Sequence, residues 1–272
     1  MRRCAMHRLL AVARAYSIGM LTYRTRTLVS LLSVLIAVVP VYFVAGALQP
    51  LAAKAIASES TEYFTYLIVG SVASFVIAEA VSAIPSLINS YITSGTLEQL
   101  LTTPIRWPSL IGGLSVYGFV WVALRALVLL VTAWVWATST IAWPRMLEFT
   151  LIMALLGVAY LGVGLVAGAL VLSVRSSLFI PQAAATLSAL LGTVYFPVGV
   201  LPPAFAPFAG FVPTTPALRA ARQILLRDQN LSVVLPELLQ LSGWALAGAI
   251  IGGGCFHLAL KHARRTGTLT QY

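Results

Sequence analysis

The side chains that could do chemistry are few in this sequence and lie far apart. His7, His257 and His262 are scattered, and only 7 of the 272 residues are acidic. Metal-ligand spacing, an acid–base pair and a nucleophile beside its base are therefore all missing from the sequence. A glycine-rich phosphate loop ending in Lys-Ser or Lys-Thr is missing as well. We predict that the chain has no catalytic residue, metal or cofactor of its own, and that any ATP it depends on is bound by another subunit.

Two ionisable residues stand out because they lie inside long apolar stretches. Glu79 falls in the stretch 63–88 and Arg125 in the stretch 111–136. An unpaired charge is costly inside a membrane, so such residues are functional candidates by default. The sequence allows either a structural ion pair between Glu79 and Arg125 or a role for them on a transport path.

The composition places these charges in a membrane protein. Hydrophobic residues make up 60% of the chain and charged residues 9%, whereas soluble domains carry roughly 25% charged residues. The net charge of +10 would indicate nucleic-acid binding in a soluble protein. In a membrane protein the same excess is explained by topology, so we expect a lipid bilayer and no nucleic acid around this chain.

The apolar stretches predict an all-α polytopic fold with one transmembrane domain over residues 1–272. Each stretch is near the 20 residues that cross a bilayer as a helix. The fourth contains Gly157, Gly162, Gly164 and Gly168, small residues that permit close helix contact. The six predicted spans are 28–48, 63–90, 110–136, 147–172, 178–200 and 238–260.

Residues 1–26 are predicted to form an amphipathic helix at the membrane surface. Arg3, His7 and Arg14 fall on one side of a helical wheel and apolar side chains fall on the other. A basic face of this kind suits anionic lipid headgroups. A disordered basic tail is the alternative.

Residues 94–104, between the second and third predicted spans, carry the signals of a short helix. Thr96 and Gln99 fit a capping box, and Pro104 ends the helix. Leu97, Leu100 and Leu101 share one face. The helix is too short to cross hydrocarbon, so its leucines must rest on lipid or on another protein at the membrane surface. We favour a protein partner.

The stretch after the fifth predicted span, residues 201–217, is apolar but repeatedly interrupted by proline. Backbone broken in this way cannot face lipid, and it must be buried in protein or line a wet cavity. We predict a re-entrant segment of short helices. The prolines within this stretch and just before it are Pro197, Pro202, Pro203, Pro207, Pro213 and Pro216.

The distribution of Lys and Arg predicts the orientation. With the amino terminus inside the cell, eleven of the 17 basic residues lie on the cytoplasmic side and five on the other, with Arg125 inside a span. Both termini and the short helix at 94–104 are then cytoplasmic. We expect a multi-pass protein of a bacterial cytoplasmic membrane. The five external residues are Lys54, Arg145, Arg219, Arg222 and Arg227.

Two motifs resemble those of one family. Residues 95–104, Gly-Thr-Leu-Glu-Gln-Leu-Leu-Thr-Thr-Pro, resemble the cytoplasmic coupling segment of permease subunits in the ABC type-2 exporter family. Residues 195–202, Tyr-Phe-Pro-Val-Gly-Val-Leu-Pro, and residues 212–219, Val-Pro-Thr-Thr-Pro-Ala-Leu-Arg, resemble the kinked fifth span and re-entrant segment of the same family. The order of the motifs and the six-span layout extend the resemblance over essentially the whole chain.

The resemblance implies a permease that pairs with a copy of itself or with a sister permease, above two separate ATPase subunits that bind ATP and Mg. It places an ATPase-contacting group in the coupling segment, namely Thr96, Leu97, Glu98, Leu100, Leu101, Thr102 and Pro104. It also implies an external gate at Phe196, Pro197, Pro202 and Pro203, for which simple packing at a kink is an equal alternative. Family substrates include drugs, lipids, teichoic acids and polysaccharides, and the short loop at 50–62 favours the compact drug and polysaccharide branches.

Two other functions fit parts of the sequence. An ion-coupled secondary transporter would use Glu79 as a proton carrier, although the first and last three predicted spans show no convincing inverted repeat. A membrane scaffold without transport would leave the short cytoplasmic helix and the broken external segment without a purpose. We therefore favour an exporter permease that moves an amphipathic or hydrophobic substrate outward.

Overall fold

The computed structural model describes residues 24–57, 59–94, 107–136, 142–174, 179–197 and 206–266. These ranges contain helices and no strand, which confirms the predicted all-α class. The helices are α1 (Arg24–Ile56), α2 (Tyr63–Thr93), α3 (Trp107–Trp136), α4 (Met146–Val174), α5 (Phe179–Leu191), α6 (Ala206–Ala209), α7 (Thr214–Arg227) and α8 (Leu235–Thr266), with a 3₁₀ turn at Trp143–Arg145 before α4.

Five helices within the described ranges are long and apolar enough to cross a membrane. They cover Leu28–Ile56, Tyr63–Thr93, Gly118–Trp136, Trp143–Ser173 and Leu235–His262. In a bilayer the helix satisfies every backbone polar group within the segment, which is why such apolar runs fold as helices. The chain is thus an integral membrane protein. The five correspond to the first four and the last of the predicted spans, and the six-span layout stays a prediction.

The first and fifth predicted spans have different bounds in the structure. Helix α1 extends to Ile56, past the predicted end at residue 48, and contains both Pro40 and Pro50. The residues after Pro50 are mostly Ala, Leu and Lys, which favour a helix. Helix α5 has 13 residues, about 20 Å at the usual rise, and so falls short of the roughly 30 Å hydrocarbon layer. The predicted span 178–200 continues beyond it as non-helical chain, of which residues up to 197 are described.

Helix α2 forms the centre of the bundle. It packs against α1, α3, α4, α5 and α7, and 61% of its most apolar window is buried. The corresponding window of α1 is only 17% buried. Helix α1 is therefore a peripheral helix, and the other described helices leave most of its apolar surface uncovered.

Helices α4 and α8 approach each other at glycine. A methyl group added to Gly162 would lie 2.5 Å from the backbone carbonyl carbon of Gly248, closer than atoms can pack. On another face of α4, a methyl group at Gly164 would lie 2.5 Å from the carbonyl oxygen of Ala80 in α2. The prediction that glycines of the fourth span permit close helix contact is confirmed.

Candidate functional site

The fifth helix breaks just after Leu191. The Gly192 N–H still donates to the Ser188 carbonyl (2.9 Å), but Thr193 has φ 62°, a left-handed conformation that ends the helix. Residues 193–197 follow as non-helical chain. Their carbonyl oxygens have lost the intrahelical donors that a longer helix would supply, so other groups must bond them.

Two tyrosines near the start of α2 donate to this broken segment. The Tyr66 hydroxyl donates to the Thr193 carbonyl (3.0 Å), and the Tyr63 hydroxyl donates to the Tyr195 carbonyl (2.9 Å). The two tyrosines are three residues apart and their rings stack at 5.9 Å, as expected for neighbours on one helix face. One edge of α2 thus holds the chain where α5 stops.

Arg222 of α7 completes the attachment. Its side chain is fully buried, and Nη2 donates to the carbonyl oxygens of Thr193 (3.0 Å) and Val194 (3.2 Å). Helix ends with free carbonyl groups attract cations, since the helix dipole places partial negative charge there. The guanidinium therefore caps the broken end of α5 from a helix that comes later in the chain.

A carboxylate and an aromatic ring balance the buried charge. Arg222 Nη1 lies 2.9 Å from Glu59 Oε2, and the Glu59 side chain is 13% exposed. The guanidinium carbon lies 3.4 Å from the centre of the Tyr66 ring, within the range of a cation–π interaction. A buried ion pair is tolerable only when hydrogen bonds satisfy both partners, and losing one partner is strongly destabilising. The group Glu59, Tyr66, Thr193, Val194 and Arg222, which we term the arginine anchor, joins four segments of the chain.

Close packing supports the arginine anchor. A methyl group on Gly70 would lie 2.5 Å from the Val194 carbonyl oxygen, so α2 presents bare backbone where the broken segment crosses it. The Tyr160 hydroxyl of α4 and the Thr214 hydroxyl of α7 lie 2.6 Å apart and are buried. The broken end of α5 therefore packs between α2, α4 and α7.

Only part of the predicted external gate falls within the described residues. Phe196 is 49% exposed and Pro197 is buried, directly after the arginine anchor. Pro202 and Pro203 lie outside the described residues, as do residues 201–205 of the predicted re-entrant segment. Its remaining residues, 206–217, form α6, a turn and the start of α7. Helix α7 begins at Thr214 and is mostly buried. The gate and the re-entrant path stay predictions.

A second polar cluster lies on the same side of the bundle. Arg145 donates to Asp228 (2.8 Å), Asn230 (2.7 Å) and Glu148 (3.1 Å), and so ties the start of α4 to the loop before α8. Arg227 donates to the Ala57 carbonyl. Arg145, Arg222 and Arg227, three of the five basic residues predicted to be external, are thus bound within the protein.

Glu79 and Arg125 do not form an ion pair with each other in the described structure. Arg125 donates from Nη2 to the Ser30 hydroxyl of α1 (2.8 Å) and lies 4.8 Å from the Trp121 ring. Glu79 lines a crevice of about 10 Å³ beside Gly118 of α3. That volume holds about one water molecule, whereas ligand pockets have volumes of about 300 Å³ or more. The crevice is too small for a substrate in this conformation.

The predicted ATPase-contacting residues 96–104 lie outside the described residues. Helix α2 ends at Thr93, so the segment begins at the end of α2 opposite Tyr63 and Tyr66. At the usual rise the 31 residues of α2 separate the two ends by about 45 Å. The coupling role stays a prediction.

Sequence reasoning missed Glu59 and Arg222, which form the most buried ion pair of the described residues. The signal was present for Arg222, because Leu218 and Leu225 lie four residues before it and three after it, on the same helix face. An arginine on an apolar face requires a buried partner. Nothing in the sequence identified Glu59 as that partner across 163 residues.

A comparison with protein families bears on this arrangement. A family model described as ABC-2 type transporter matches residues 9–226, which is well over half of the 272-residue chain. The match includes the arginine anchor and both motifs on which the resemblance was based. Among curated proteins no match was found.

Proposed function

The chain belongs to the ABC-2 type transporter family, and we propose that it is the permease subunit of an exporter driven by a separate ATPase. Membership makes the chain the membrane component of a transporter rather than an ATPase. The proposal adds the direction of transport, the ATP-binding partner with its Mg, and an amphipathic or hydrophobic substrate of the drug, lipid or polysaccharide class.

The observation that carries the proposal is the arginine anchor at one end of α2, with the predicted coupling segment at the other. The broken α5 and the buried α7 close one side of the bundle through hydrogen bonds to Tyr66 and Arg222. A movement applied at the Ser94 end of α2 would be transmitted along a continuous helix to those bonds. This arrangement supports a mechanism in which α2 transmits a movement of the cytoplasmic coupling segment to the bonds that hold α5 and α7 at the external side.

The charges support the orientation that the proposal requires. The positive-inside rule concerns Lys and Arg beside the spans, and the arginines near the start of α4 and the end of α7 depart from it if that side is external. Arg145 and Arg222 pair there with Glu148, Asp228 and Glu59. Because these arginines are neutralised within the protein, their location on the outside is compatible with both termini in the cytoplasm.

The uncovered face of α1 supports a second permease beside this one. Its exposed side chains include Leu28, Ile36 and Phe43, each more than 60% exposed. Lipid can cover such a face, but a second copy or a sister permease would bury it and complete a path between two subunits. We propose such a pair, with one ATPase below each permease.

The test is to remove the coupling contact. We expect Glu98→Ala combined with Leu101→Ala to abolish export while the permease stays folded in the membrane. The matched control is Thr93→Ala, an exposed position at the end of α2. Tagged permease should co-purify with a P-loop ATPase whose vanadate-sensitive activity is lost in the double variant and kept in the control. Export by the double variant equal to that of the parent would refute the coupling role.

Proton-coupled transport through Glu79 is the second candidate, because this carboxylate lines a membrane-level crevice. Glu79→Gln would abolish transport in that case, and transport would follow the proton gradient in the absence of ATP. Under our proposal, transport by the same variant continues to require ATP and does not respond to a proton gradient alone.

A further inference from the structure

A cavity unrelated to the arginine anchor opens between the outer ends of α1, α2 and α3. Its volume is about 400 Å³, within the range of small-molecule sites, which is roughly 300–1,000 Å³. It lies on the side of Glu59, away from Ser94. Its principal lining residues are Tyr42, Gly46, Gln49, Glu62, Phe64 and Trp136.

Three neighbouring aromatic rings line the cavity. The Tyr42 ring centre lies 5.1 Å from that of Phe64 and 5.3 Å from that of Trp136, with interplanar angles of 87° and 75°. Tyr42 is 39% exposed and Trp136 40% exposed, so ring surface remains accessible from the cavity. The face of an aromatic ring carries partial negative charge and attracts cations.

A carboxylate lies in the same lining. Glu62 precedes α2, and its Oε2 accepts a weak hydrogen bond from the Thr65 hydroxyl (3.3 Å). A carboxylate that accepts hydrogen bonds keeps its negative charge, and this charge contributes to the electrostatics of the lining. Gln49 fixes the position of this segment, since its side chain accepts from the Tyr63 N–H (2.6 Å) and donates to the Thr61 carbonyl (3.1 Å).

We propose that this cavity binds an organic ammonium ion, either a quaternary amine or a protonated one. Aromatic faces beside a carboxylate attract a weakly hydrated cation and repel anions. Among the described residues the lining contains no Lys or Arg, so none of these side chains repels a positive ligand. The same chemistry is found in the ammonium headgroup of a lipid and in a soluble amine. The site is independent of the ATPase partner and goes beyond the export function.

The test uses choline as probe and 3,3-dimethylbutan-1-ol as its uncharged analogue of nearly equal shape. The full chain is reconstituted in nanodiscs of phosphatidylglycerol, and binding of radiolabelled choline is measured without nucleotide. We expect saturable binding that unlabelled choline displaces and the neutral alcohol does not. Equal displacement by the alcohol would overturn the proposal, because it would show an apolar pocket without cation selectivity.

Two variants locate the binding. Glu62→Gln removes the charge, and Trp136→Leu removes one ring; each should weaken choline binding about tenfold, since a single cation contact of this kind is worth about one decade. The matched control is Trp134→Leu, which removes a neighbouring tryptophan that contacts Trp143 outside the cavity. Choline binding by both variants equal to that of the parent, with unchanged thermal unfolding, would also overturn the proposal.

The lipid composition identifies the source of the ammonium group. If the natural ligand is a headgroup, nanodiscs of phosphatidylcholine should compete with free choline and weaken its apparent affinity. If it is a soluble amine, the affinity should be the same in both lipids once salt screens the surface charge of phosphatidylglycerol. Either result supports the site. Since the measurement uses the permease alone, its failure would leave the ATPase-coupling proposal untouched.

Discussion

At the scale of single residues, Arg222 shows how a charge can be kept inside an apolar bundle. Its planar guanidinium reaches the Glu59 carboxylate with one nitrogen and two backbone carbonyls with another. A lysine could supply the charge but not this fork of donors. The arginine is therefore required for its shape as well as for its charge.

Replacing Arg222 with Met should be among the most destabilising single substitutions of the described residues. The change leaves the largely buried Glu59 carboxylate without its Arg222 partner, and removing one partner of a buried ion pair costs about 3 to 5 kcal/mol. Arg222→Lys should recover part of that loss. Thermal unfolding in detergent measures both.

The control is Arg219→Met, because Arg219 is exposed on the same helix. Its unfolding temperature should match that of the parent. If Arg222→Met and Arg219→Met unfolded at the same temperature, the arginine anchor would not stabilise the fold.

At the scale of elements, backbone contact at glycine sets the distance between α4 and α8. Gly252 of α8 faces Gly162 of α4. A methyl group added to Gly252 would lie 3.0 Å from the backbone carbonyl carbon of Gly162. The next residue, Gly253, has nothing within 4 Å of that position. Of these two adjacent glycines, Gly252 thus contacts the backbone of α4 and Gly253 does not.

Replacing each of these two glycines with alanine should change the stability of the protein differently. Gly252→Ala should force the helices apart and destabilise the protein by about 1 to 3 kcal/mol, as overpacking usually does. Gly253→Ala should be neutral or slightly stabilising, because alanine is the better helix former. Unfolding in detergent separates them, and equal stability of the two variants would contradict the packing argument.

The sequence predicts the elements better than the contacts between them. The ends of α2 and α4 lie within a few residues of the predicted ends of the second and fourth spans. The lengths of the apolar stretches predict these ends, because the thickness of the hydrocarbon layer determines how many residues must be apolar. The end of α5 was not predicted: Thr193 takes a left-handed conformation, and its carbonyl oxygen accepts bonds from Tyr66 and Arg222. Such bonds arise between segments distant in sequence, and no local pattern encodes them.

At the scale of the whole molecule, polar bonding is concentrated on one side of the bundle. The arginine anchor and the Arg145 cluster both lie there and connect residues 59–62, the 3₁₀ turn, α7 and the loop before α8. The remaining contacts between the long helices are mainly apolar. The described part of the molecule is therefore bonded firmly at one surface, and the proposed topology places this surface outside.

Cysteine labelling tests this orientation. In a chain whose Cys4 and Cys255 are replaced by Ser, we expect Ser232→Cys to react with a membrane-impermeant maleimide in intact cells. Ser94→Cys should react only after the membranes are opened. Both positions are exposed, so a difference in labelling reports the side of the membrane. The reverse pattern would invert the topology and place the coupling segment outside.

The arginine anchor also has a consequence for how the protein is made. Its two charged partners are 163 residues apart, so Glu59 leaves the ribosome long before Arg222. During that interval α1 to α5 can enter the bilayer, while the end of α5 lacks its donor and Glu59 lacks its counter-ion. The ion pair can close only after every helix up to α7 has been inserted in the right orientation. Its formation therefore marks the stage at which the helices up to α7 are in place, before α8 joins the bundle. A chain that stalls earlier displays a broken helix end and an unpaired carboxylate at the membrane surface.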